Sequence, residues 1–159
     1  MNVLVDMHVF DDKHQGTRTY LKGLYLELIS IAKNWHFFLA ANNIENLKNE
    51  FGDHHNVTYI PLKRHNKFYR LLIELPLIIK KYEIDYSHFQ YIIPLFKKGK
   101  YIVTTHDILF EQNEFKKFFP LKYRIINGLL FKYSAKRADI LLTVSEYSKQ
   151  KISKLYNIK

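Results

Sequence analysis

Apolar, β-branched runs and amphipathic stretches take turns along this chain. Val3-Leu4-Val5 opens it as a continuous apolar run, which predicts a buried strand over residues 2–8. Tyr20, Leu21, Leu24, Leu28 and Ile31 recur near the helical period, which predicts a helix over 17–33. Strands over 35–41 and 56–61 enclose a short helix over 43–51, closed by Gly52 as a natural C-cap. A helix over 66–82 carries Pro76 as a kink or local break. Strands over 84–89 and 101–106 follow, then a mostly helical stretch over 118–137 and a sixth strand over 139–144. Ser145 is placed to cap a last helix over 146–156, with Glu146 in its first turn. Six strands interrupted by helices of crossover length predict an α/β fold: a doubly wound, parallel, Rossmann-like sheet in a single domain.

Composition narrows the function classes. The chain has 159 residues, is 47% hydrophobic and 16% aromatic, and so has the means to build a core rather than remain disordered. It has no Cys, which excludes a disulfide scaffold and a thiolate zinc site. Its first residues lack the basic-then-apolar layout of a signal peptide, and no apolar run reaches the length of a membrane span. A cytoplasmic location is the expectation, with the inner face of a membrane as a peripheral alternative.

Lys and Arg number 25 against 15 acids, for a net charge of +10. Compositional drift toward Lys, Ile, Asn and Tyr is one reading of this excess. A basic surface also attracts anionic lipid, nucleic acid or phosphorylated substrates. Lys116, Lys117, Lys122 and Arg124 interleave with Phe115, Phe118, Phe119 and Tyr123. That mixture suits an interfacial membrane patch or single-stranded nucleic acid, and equally a packed core.

The strand over 101–106 ends in His106 and Asp107, two groups that carry protons and hydrogen bonds. In an open parallel sheet ligands bind at the carboxyl ends of strands, so this pair is placed for chemistry. Asp6 and His8 end the first strand. We expect them on opposite faces, with at least one bordering the ligand edge. His88 ends the fourth strand and reads on its own as a satisfied structural imidazole. His88 and His106 as a metal pair are not favoured, because no His-x-x-x-His or carboxylate cluster completes a ligand set. The loop over 11–17 has a single glycine, Gly16, so neither a dinucleotide fingerprint nor a Walker loop is present. One glycine at a helix start still lets a ligand approach free N–H groups. Asp11 and Asp12 could mimic the acidic cluster of a receiver domain but lie several residues past the strand end, and there is no Gly-x-Ser-x-Gly elbow.

Three segments in order resemble one family. Val3-Leu4-Val5-Asp6 with Gly16-Thr17-Arg18-Thr19-Tyr20-Leu21-Lys22-Gly23-Leu24 is the first. Tyr86-Ser87-His88-Phe89, with Pro94 and then Ile102-Val103-Thr104-Thr105-His106-Asp107-Ile108, is the second. Ala138-Asp139-Ile140-Leu141-Leu142-Thr143-Val144-Ser145-Glu146-Tyr147-Ser148 is the third. Together they resemble the N-terminal, acceptor-side half of a GT-B fold glycosyltransferase of retaining family 4, over essentially the whole chain.

The resemblance implies sugar transfer from a nucleotide-sugar donor to a glycan or lipid-linked acceptor, of the kind used in cell-envelope polysaccharide synthesis. It implies no cofactor and no metal, the nucleotide sugar being a substrate. His106 and Asp107 are the implied catalytic residues: His106 touches the sugar or acceptor, and Asp107 orients His106 or holds the loop. Asp6, Gly16, Thr17, Arg18, His88 and Ser145 are the implied donor- or acceptor-binding residues. The donor is held mainly by a C-terminal domain that these residues do not contain, so the chain is expected to be inactive without that domain in cis or in trans. The alternative reading is a non-catalytic basic α/β module that binds anionic lipid, nucleic acid or a partner subunit.

Overall fold

The predicted alternation of strand and helix is realised in a computed structural model, which describes residues 1–11 and 16–158. Most of the polar loop before the first helix, residues 12–15, and Lys159 lie outside the described residues. The strands are β1 (Asn2–Asp6), β2 (His36–Ala41), β3 (Val57–Pro61), β4 (Tyr86–Gln90), β5 (Lys100–Thr104) and β6 (Ile140–Leu142). They form a six-stranded parallel sheet in the order β3-β2-β1-β4-β5-β6, as in a Rossmann-like fold. The order reverses between β1 and β4, where Val5 pairs with His88. That reversal marks the sheet's topological switch point.

The helices are α1 (Gly16–Ile31), α2 (Ile44–Phe51), α3 (Lys67–Tyr69), α4 (Leu75–Lys81), α5 (Leu121–Arg137) and α6 (Glu146–Tyr156). A π-helical turn, Arg70–Glu74, joins α3 to α4. Pro76 supplies its cause: proline has no N–H to donate and its ring excludes the carbonyl four residues back, so the helix widens by one residue rather than breaking. No helix joins β4 to β5. Three strands end sooner than predicted, and of these β6 stops at Leu142 rather than at 144. β1 stops at Asp6, because Met7 leads into a 3-10 turn at His8–Phe10. β5 stops at Thr104, so His106 stands on the loop beyond the strand.

Residue contacts divide the chain into two compact units, Met1–His88 with Pro94–Lys100, and Phe89–Ile93 with Tyr101–Lys159. In the first unit Val3 and Val5 of β1, Phe37, Leu39 and Ala41 of β2, Leu21, Tyr25 and Ile29 of α1, and Leu47 and Phe51 of α2 share one buried cluster. The alternate residues Leu4, Phe38 and Ala40 are buried as well, so both faces of these strands are covered. Asn43 accepts the Asn46 N–H and caps α2, and Gly52 ends it at φ 70°, a conformation that favours glycine. In the second unit Phe89 meets Tyr101 edge to face at 4.9 Å, and Phe110 meets Phe131 at 5.1 Å. The last strand, β6, keeps Ile140 exposed.

Candidate functional site

Within the first unit, the carboxyl end of β1 carries Asp6, whose side chain is almost wholly buried at the switch point. Its Oδ1 accepts the His8 backbone N–H at 3.3 Å and lies 3.1 Å from His8 Nδ1. Asp6 and His8 are therefore brought together, not turned to opposite faces. Residues two apart share a side of an extended chain, and the 3-10 turn after Asp6 folds His8 back onto it. Asp6 Oδ2 sits 3.2 Å from Arg70 Nε on the π turn. That pair is ionic but too bent for a hydrogen bond, and Nε is left without a hydrogen-bond partner. Burial pushes the Asp6 carboxyl up; the charges of His8 and Arg70 and the hydrogen bonds from His8 outweigh it and hold the group below the usual carboxylate range.

Gly16 begins α1, and a Cβ built there would meet nothing within 4 Å. Among the described residues neither packing nor backbone conformation demands glycine at 16. Thr17 is half-buried. Arg18 points inward instead: its Nη2 donates to Glu50 Oε1 of α2 at 2.8 Å, and its guanidinium stacks 4.9 Å from the Phe10 ring. It fastens α1 to α2. His88 is buried in β4, where the Tyr25 hydroxyl lies 2.7 Å from its Nδ1. Burial drives the Tyr25 hydroxyl far above its ordinary pKa, so it stays protonated and can donate. His88 is thus a core imidazole oriented from α1.

Within the second unit, His106 is 9% exposed. Its Nε2 lies 2.9 Å from Gln90 Oε1, and its ring centroid lies 5.5 Å from that of Tyr91. An amide oxygen only accepts, so this contact assigns the proton to Nε2 and the ring lone pair to Nδ1. Burial pulls the His106 pKa down, against the opposing pull of Asp107, and the ring is neutral at neutral pH. Asp107 accepts the Leu109 N–H at 3.2 Å, a local turn that shapes the loop after β5. Ser145 accepts the Ser148 N–H at 3.1 Å and caps α6. Among the described residues no group of three or more His, Asp or Glu side chains could hold a metal ion.

The sequence model of Glycosyltransferase Family 4 matches residues 16–159. The chain belongs to glycosyltransferase family 4. No match was found among curated proteins. For a family 4 domain the Rossmann-like sheet is one half of a GT-B architecture, and substrates of the family are a nucleotide sugar and an acceptor. No helix among the described residues is long and apolar enough to cross a membrane.

Two contributors escaped the sequence reading. Arg70 reads as one cation in a helix, yet it is buried beside Asp6. The signal was its spacing from Glu74, i and i+4 inside an apolar run, where polar residues on a buried face need partners. Gln90 stands two residues beyond His88, on the same side of β4 by alternation, and that offset was the only hint that it would serve a histidine.

Proposed function

We propose that this family 4 chain is the acceptor-side half of a retaining glycosyltransferase that moves a sugar from a nucleotide-sugar donor to a glycan or lipid-linked acceptor. One observation carries the reading: a neutral, buried His106, fixed in tautomer and orientation by Gln90 just beyond the carboxyl end of β5. Sugar hydroxyls are neutral and directional, and a preset imidazole serves them better than a mobile charged one. His106 is the group we assign to the transferred sugar or its acceptor. Asp107 holds the loop that presents it.

The exposed Gly16 that begins α1, where a Cβ would meet no described residue, supports a role beside the donor's diphosphate, which free backbone N–H groups favour. Asp6 borders the same sheet edge, where its buried carboxylate, held ionised by His8 and Arg70, fixes the turn that follows β1. In the reaction the bond from the anomeric carbon to the phosphate oxygen breaks and one to the acceptor oxygen forms. The acceptor's proton leaves with the diphosphate. Turnover requires a donor-holding second domain, in cis or in trans, and residues 1–159 alone are expected to be inactive.

The test is transfer by residues 1–159 joined to a family 4 C-terminal domain, with donor hydrolysis followed as a separate readout. His106→Ala is expected to lower kcat at least about tenfold, the scale of a positioned polar group, with folding unchanged by circular dichroism. An unaltered rate removes His106 from the mechanism. Gln90→Ala is expected to lower the rate in the same direction by freeing the ring.

A further inference from the structure

Residues 115–138 contain seven Lys or Arg and no Asp or Glu. The same stretch exposes large aliphatic side chains. Along α5, Leu121, Ile125 and Leu129 are 65%, 54% and 67% exposed. Spaced four apart, they form one row on one side of the helix. Just before the helix Phe118 is 70% exposed, with the Lys117 ammonium 5.1 Å from its ring centroid. Lys132 continues the row one turn past Leu129, and Lys122 stands beside Leu121; both are exposed. The row borders a pocket of about 330 Å³, also lined by Glu111, Gly128 and Tyr156. The Tyr156 hydroxyl is buried there without a hydrogen-bond partner.

The chemistry of this surface selects its occupant. Lysine is depleted from the cores of protein interfaces, where charge must be desolvated. The row itself is aliphatic, and of the exposed rings beside it Phe118 carries the Lys117 ammonium and Tyr123 stacks on Phe119, so nucleic-acid bases find few free ring faces to stack on. Aliphatic side chains level with several lysines instead match the boundary of a bilayer, where the chains take the former and phosphate headgroups the latter. Glu111 is the acid in the pocket, and it is placed against the α5 backbone: a Cβ at Gly128 would run into its Oε1. The lysines therefore set the sign of the outer rim.

We infer that the row Leu121, Ile125 and Leu129, with Lys117, Lys122 and Lys132, docks this chain onto the surface of an anionic lipid bilayer. It rests on the proposed function only in that a lipid-linked acceptor would be met there; the surface itself is independent of His106. The contact lies in the interface plane, the aliphatic row entering the acyl boundary and the lysines remaining at headgroup level.

The experiment is co-sedimentation of the full chain with vesicles of phosphatidylcholine alone and of phosphatidylcholine mixed with phosphatidylglycerol, at low and near-physiological salt. The chain is expected to pellet with the mixed vesicles and to release as salt rises. Changing Leu121, Ile125 and Leu129 together to Ser is expected to reduce the bound fraction at least about tenfold. Lys117→Glu, Lys122→Glu and Lys132→Glu together are expected to abolish the preference for phosphatidylglycerol; these positions are exposed, so this second variant tests the idea even if the first one misfolds. Equal pelleting with both vesicles, no pelleting, or wild-type pelleting by either variant overturns the inference. A change from dimer to monomer in the Ser variant, without vesicle binding by the wild type, assigns the row to a second copy and overturns it too. Because no sugar transfer is read, failure here leaves the glycosyltransferase reading standing, and failure of His106→Ala leaves this one.

Discussion

Removing Arg70 tests the switch point most directly. Arg70→Met keeps much of the side chain's length and apolar stem while deleting the charge that faces Asp6. At 3.2 Å the gross attraction is about 5 kcal/mol at an effective dielectric of 20. Desolvation of both partners consumes part of this, but Asp6 stays buried after the substitution and its charge then lacks one of its two compensators. Breaking a buried pair in this way costs about 3–5 kcal/mol. The sign with pH follows from the same geometry. Asp6 has a folded pKa below its unfolded value, so its stabilisation is complete above the unfolded pKa and is lost as pH falls through the folded one. Without Arg70, burial regains ground and the folded pKa rises. The variant then escapes its buried charge by taking up a proton in mild acid. Urea unfolding of both proteins at about pH 7 and about pH 4.5 is the measurement, with carboxylate titration setting the window. The deficit of Arg70→Met is expected to be largest at the higher pH and to shrink at the lower. A deficit that is equal at both values would mean that Arg70 acts through packing of its stem, and would refute the electrostatic account.

Four further outcomes follow from the same geometry. The His106 imidazole is expected to titrate below the ordinary histidine value in an NMR titration, and Asp107→Asn to move the midpoint lower still, since Asp107 is what pulls it upward. For the same reason His106 makes stability rise with pH through the unfolded histidine range, because the unfolded chain binds the proton more readily; replacement by Gln is expected to flatten that segment of the stability profile. Tyr25→Phe deletes the hydroxyl that lies 2.7 Å from His88 and is expected to cost about 1–2 kcal/mol in urea unfolding; no loss would show that the bond is not made in solution. Ser145→Ala removes the cap of α6 and is expected to cost about 1 kcal/mol, and a loss of transfer in the joined enzyme beyond that destabilisation would put Ser145 at the substrate.

How far the fold was legible follows from which forces act locally. The buried strands were readable because continuous apolar runs have few other uses in a chain this size, and α6 was placed to the residue because Ser145, Glu146 and the helical period agree. Strand ends were less readable. Where β1 and β5 stop is decided by what the next turn bonds to, the His8 turn in one case and the Asp107 turn in the other, and those partners become local only once the chain has folded. Pro76 was expected to kink or break its helix; instead the helix absorbed it in a π turn. The cost of a missing N–H can be met by widening the helix as well as by ending it, and the sequence does not choose between them.

The candidate residues divide along the same line. His106 and Asp6 were readable as chemistry because each follows an apolar run at its carboxyl end, a position set by strand direction alone. Their partners were not readable, because Gln90 and Arg70 approach from other elements. Arg18 shows the converse. It follows Gly16 and Thr17 in the segment that resembles the family's first loop and helix, and its side chain nevertheless turns away to Glu50 and Phe10. A motif fixes where the backbone of α1 begins; it does not fix which side chains of the first turn face a ligand. Since Gly16 is exposed and Arg18 turns inward, contact with a diphosphate at this helix would have to come from backbone N–H groups rather than from a guanidinium. Arg18→Lys is therefore expected to loosen α1 against α2 and to lower stability, while leaving the donor KM of the joined enzyme unchanged; a KM that rises without any loss of stability would return Arg18 to the binding site.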